Sequence, residues 1–181
     1  MDRYWLLTWS TYGTWLPGDG RGFVTDLRDP DHHKYRPNIP RTEYPAGNPG
    51  LLRYSRAALR ADPVRLLPEQ APVLLGQYRE TAAYRHWLLL AAAVMANHTH
   101  LVVGVPGDPD PDAVLRDFKA YASRVLNRRW GKPASGTWWT EGGSKRKKGT
   151  DAEVAAAVEY VRDQPYALAV WVNPRYGERG A

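Results

Sequence analysis

Two histidines stand one residue apart in "MANHTHLVVGV", residues 95–105. Alternate side chains of a strand share a face, so His98 and His100 look the same way. Two imidazoles so placed can grip one metal ion. The same pair also suits two ordinary polar residues on a wet sheet face. A metal site needs a further ligand, and a catalytic one keeps positions open for substrate. The stretch "EYVRDQP", residues 159–165, offers a ligand and a nucleophile. Tyr160 and Gln164 are four apart and would share a helix face, bordering the stripe of Val154, Ala157, Val158 and Val161. Gln164 brings an amide oxygen suited to a hard cation. Tyr160 brings a phenol, which can attack a phosphodiester whose developing charge a metal stabilises. Tyr121 is a rival nucleophile, but position 125 is valine rather than a carboxamide, and Tyr121 falls within an apolar stripe where packing is its natural task.

These residues need elements to hold them. Residues 3–11, "RYWLLTWST", read as a first strand. Residues 23–68 are rich in proline and charge and read as an irregular insertion, with His32 and His33 as surface residues. Residues 68–86 carry Val73, Leu74, Tyr78 and Ala82 at helical spacing. "WLLLAAAVM" reads as a buried strand and "HTHLVVGV" as its returning partner. Ala96-Asn97 would be the tight turn between them, since asparagine tolerates positive φ. Residues 112–130 form a helix with an apolar stripe of Val114, Leu115, Phe118, Tyr121, Ala122 and Val125. Residues 131–149 are basic, glycine-rich and flexible in this reading. Thr150 and Glu153 make a capping box that opens the catalytic helix, residues 150–165, and Pro165 ends it. Residues 167–172, "ALAVWV", suit a last strand. The order β, α, β, β, α, α, β predicts one α+β domain over residues 1–181, with helices packed on one face of an antiparallel sheet.

The chain of 181 residues is 43% hydrophobic, enough for a core, and has no cysteine, which excludes disulfides and thiolate zinc sites. No leader-like start and no membrane-length apolar run is read, so the expectation is a cytoplasmic protein without membrane association. The net charge is +6, yet between residues 116 and 148 ten basic residues face two acidic ones, an excess larger than that of the whole chain. A polyanion is the implied partner. Candidate phosphate contacts are Lys119, Arg124, Arg128, Arg129, Lys145, Arg146, Lys147 and Lys148. Lys119 is also a candidate for the scissile phosphate. Trp138 and Trp139 could stack on unpaired bases.

The chain resembles the single-tyrosine HUH transposases of the insertion-sequence and REP-associated type. "VMANHTHLVV" is similar to their histidine-pair strand, "YVRDQP" to their catalytic-helix pattern, and "FKAYASRVLNRRWG" to the basic segment between them. The three occur in family order over residues 87–171. Thr99 stands where the family usually has a bulky apolar residue, and Ala96 where it often has proline. The resemblance implies a ferredoxin-like sheet, commonly in a homodimer, and Mg²⁺ or Mn²⁺ held by His98, His100 and Gln164. It implies Tyr160 as nucleophile, leaving a 5′-phosphotyrosine and a free 3′-OH on single-stranded or hairpin DNA, with no small-molecule cofactor. A non-cleaving DNA-binding descendant and a water-using hydrolase are the alternatives.

Overall fold

The computed structural model describes residues 1–20 and 47–177. The elements are β1 (Arg3–Ser10), α1 (Pro49–Ala57), α2 (Gln70–Tyr84), β2 (Leu88–Val94), β3 (His98–Val105), α3 (Pro111–Trp130), β4 (Ser144–Lys148), α4 (Asp151–Arg162), β5 (Ala169–Val172) and α5 (Pro174–Gly177). One antiparallel sheet runs in the order β4-β1-β3-β2-β5. Its first four strands, with α2 and α3, make a ferredoxin-like βαββαβ unit within an α+β fold.

Strand alternation divides the core. Leu101, Val103 and Val105 of β3 join Leu7 and Trp9 of β1 on the face covered by α2 and α3. Trp9 lies edge-on to Tyr78 and Trp139, and Tyr78 edge-on to Phe118. On the other face, Leu6, Val102, Ala91 and Ala93 pack under Val154, Ala157, Val158 and Val161 of α4. Helices on one face therefore holds for α2 and α3 only. The helix carrying Tyr160 lies across the opposite face, because its small apolar stripe matches the alanine-rich side of β2.

Several local expectations change. The segment read as irregular contains α1, opened by Asn48 as N-cap and Pro49 in the first turn. α1 buries no residue fully, so it lacks the apolar stripe that marks a packed helix. His32, His33 and the rest of residues 23–46 lie outside the described residues. The stripe of α3 uses Leu126, while Tyr121 and Val125 are half-buried. The flexible reading of residues 131–149 fails. Trp138 and Trp139 are buried, their indole nitrogens donating to Asn127 Oδ1 and the Lys119 carbonyl, so neither offers a face to a base. "SKRKK" is the edge strand β4. Asn97 turns the hairpin without positive φ. Instead its carbonyl accepts from Thr11 N, Thr11 Oγ1 and Thr14 Oγ1, which fix the turn from outside. The capping box of α4 is present, but the helix ends at Arg162, before Pro165. Among the described residues no helix is long and apolar enough to cross a membrane.

Candidate active site

His98 and His100 point from β3 to the α4 side of the sheet, with ring centroids 4.8 Å apart. Across the ladder, Thr8 faces His100 and Ser10 faces His98. Thr8 Oγ1 lies 2.6 Å from His100 Nδ1, and Asn97 Oδ1 lies 2.7 Å from His98 Nδ1. Asn97 Oδ1 can only accept, so His98 donates to it from Nδ1. Thr8 Oγ1 can likewise accept from His100 Nδ1. A hydrogen bond to Nδ1 fixes the ring and aims its other nitrogen, which is how proteins point imidazoles at a metal. His100 is buried, and that desolvation, aided by the charges of His98 and Arg146, lowers its pKa to about 3. It is therefore neutral at physiological pH, the form that ligates a cation.

Tyr160 arrives from α4. Its Oη lies 3.5 Å from His100 Nε2, with ring centroids 5.2 Å apart, while half of the side chain stays exposed. All three residues belong to one chain, so the phenol meets the imidazole pair without a second copy. Gln164 sits one residue past the C-cap Asp163, and its Nε2 donates to the Tyr160 carbonyl at 2.9 Å. The expected stacking of Tyr160 and Gln164 on one helix face is thus replaced by a side chain folded back on the helix end. Among the described residues no three His, Cys, Asp or Glu side chains cluster. A cation here needs an oxygen ligand of another kind beside the two imidazoles, and a carboxamide such as that of Gln164 has the right chemistry.

The basic candidates scatter. Lys119 donates from Nζ to the Thr140 and Gly142 carbonyls, and burial lowers its pKa to about 8. It ties down the loop before β4, so the expectation that it reaches the scissile phosphate has no support in its contacts. Arg124 lies over the Tyr121 ring, and Arg128 and Arg129 are exposed at the end of α3. Tyr121, stacked between Arg124 and Tyr84, meets neither histidine in these ring contacts. Lys145 pairs with Asp112, and Lys148 acts on Glu153 of the capping box. The sequence does not mark Thr8 or Asn97 as a partner of the histidines. Thr8 carries a faint signal, as a polar residue on the even face of β1, but only the register with β3 shows whom it serves.

The family model described as "Transposase IS200 like" matches residues 69–164, more than half of the chain and the whole span from α2 to Gln164. The chain belongs to the IS200-like transposase family. This transposase therefore comes from a family of DNA-cleaving enzymes, and the matched span contains His98, His100 and Tyr160. A solved structure of a REP-associated tyrosine transposase bound to a REP hairpin matches with a TM-score of 0.46 at 11% identity, covering 92% of this chain and 76% of that one. No curated protein matches the chain.

Proposed function

We propose that this transposase is a metal-dependent single-stranded DNA endonuclease and strand transferase that acts through Tyr160 at hairpin-associated sites. The observation that carries the reading is the approach of Tyr160 Oη to His100 Nε2, 3.5 Å, within the span matched by the family. The residues fit a divalent ion: two imidazoles with Nδ1 engaged, that of His100 neutral, and the Gln164 amide as an oxygen donor nearby in sequence. Bound Mg²⁺ or Mn²⁺ would supply Lewis-acid polarisation of the scissile phosphate.

The chain's own part is to orient and to attack. Tyr160 Oη forms a bond to phosphorus, the P–O3′ bond breaks, and a 5′-phosphotyrosine remains. The phenol proton goes to solvent, which reaches the half-exposed ring, and the leaving 3′ oxygen takes a proton from water. A second 3′-OH reverses the step, so strand transfer needs no external energy source. Tyr160 meeting the His100 imidazole of its own chain supports attack in cis, and the expected homodimer would carry two such sites.

The test uses a hairpin oligonucleotide recovered from a pool with randomised flanks by covalent capture on the native chain. With Mg²⁺ or Mn²⁺ a protein–DNA adduct should form, chelation should prevent it, and Tyr160→Phe should lose it with its melting temperature unchanged. An adduct retained by Tyr160→Phe would refute the assignment. Salt-sensitive binding without any adduct would mark a non-cleaving DNA-binding protein. Free nicked ends unaffected by Tyr160→Phe would mark a hydrolase that uses water.

A further inference from the structure

The tract "KRKK" reads as four equivalent charges, but β4 makes them unequal. Its register sets Ser144 opposite Thr8, Arg146 opposite Leu6 and Lys148 opposite Tyr4. Residues directly opposite share a face, so Arg146 projects with Leu6 to the α4 side, where Thr8 and His100 lie. Lys145 and Lys147 project to the other side with Leu7 and Trp5, and Lys145 is held by Asp112. Lys148, though on the α4 side, is at the far end of the strand beside Glu153. Arg146 stands one pleat from the row of Ser144, Thr8 and His100, two strands away from the histidine, a span that an arginine side chain can cross. Its charge is felt at His100, and the residue itself is exposed, so its guanidinium can reach solvent-side ligands.

We propose that Arg146 is a further catalytic residue, whose guanidinium grips the non-bridging oxygens of the scissile phosphate beside Tyr160 and the histidine pair. This rests on the reading of Tyr160 as the nucleophile. A guanidinium presents two parallel N–H donors that match two phosphate oxygens. In the transition state those oxygens gain charge, and a preorganised cation there lowers the barrier more than it tightens ground-state binding. Lys145, Lys147 and Lys148 take no part in this contact.

Two measurements test it, on the captured hairpin oligonucleotide. The first is the single-turnover rate of adduct formation at saturating DNA. Arg146→Gln should slow it about 100-fold, the usual loss for one charge-stabilising donor, and Arg146→Lys should recover part of it. The second needs neither turnover nor metal. In the Tyr160→Phe background, replacing the scissile phosphate by a neutral methylphosphonate should weaken binding about tenfold, as for a hydrogen bond to a charged group. With Arg146→Gln also present, that penalty should largely vanish. An unchanged saturated rate in Arg146→Gln, or an undiminished methylphosphonate penalty, would overturn the role while leaving Tyr160 as nucleophile. A native chain that forms no adduct would remove both together.

Discussion

One strand serves two unlike surfaces. The odd residues of β3, from Thr99 to Val105, lie under α2 and α3 in a core closed by Trp9, Tyr78 and Phe118. The even residues, from His98 to Gly104, lie on the side where α4 packs. Two helices and large aromatic rings pack the first face. The twelve-residue helix α4 packs over small alanines on the second face, where the histidines, Thr8 and Tyr160 meet. The closed core and the candidate site thus lie on opposite sides of the same backbone, and substitutions one residue apart should have unlike effects.

The sharpest contrast is Leu101→Ala against His100→Ala. Leu101 is fully buried in the closed core, and its truncation should cost about 3 kcal/mol in denaturant unfolding. His100→Ala should cost about 1 kcal/mol but abolish adduct formation. Equal destabilisation by the two would break the division. Next in size is Thr8→Val, which keeps shape and removes the partner of His100 Nδ1. It should weaken Mn²⁺ affinity by about 10- to 100-fold in calorimetric titration, with little change in melting temperature.

Thr99→Val probes the closed side. The hydroxyls of Thr99 and Tyr78 are buried and near enough to act on one another, yet neither completes a hydrogen bond, and burial raises the Tyr78 pKa. Replacing the threonine hydroxyl by a methyl should be neutral or stabilise by up to about 1 kcal/mol, with adduct yield unchanged. A marked loss of stability would mean that Thr99 does satisfy its neighbour. The smallest effect concerns pH. Hydrogen bonds from the Gly149 and Thr150 amides lower the Glu153 pKa below its usual value of 4.5. Its stabilising contribution to α4 is present above that value and fades as pH falls through the lowered one. Glu153→Gln should therefore lower the melting temperature slightly at neutral pH and leave it unchanged in acid, where the carboxyl is already protonated, so the acid limb flattens.

The histidine pair was legible because a period of two needs no partner to be seen. The capping box of Thr150 and Glu153 was equally local, and it holds as read. The apolar run of β2 announced a buried strand for the same reason. What the sequence hid depends on contacts between distant segments. Nothing local tells Arg146 from its lysine neighbours, because the difference is a register with β1 some 140 residues earlier. Trp138 and Trp139 looked like stacking platforms in a glycine-rich loop, and only α3 and β1 show them to be core. Gln164 looked helical because its spacing from Tyr160 is one turn, but Pro165 restricts the residue before it, and the helix stops earlier.

The amino-acid order alone indicated β1, α2, β2, β3, α3, α4 and β5, the shared face of His98 and His100, and Tyr160 rather than Tyr121 as the candidate nucleophile, since each follows from periodicity and side-chain chemistry within a short window. The tertiary structure alone decided that α4 crosses the face opposite α2 and α3, that Thr8 and Asn97 hold the imidazoles, and that one arginine of a basic run turns toward them. Those outcomes depend on strand pairing and on which apolar stripes fit together, and such long-range packing energies are a property of the folded chain rather than of any segment in it.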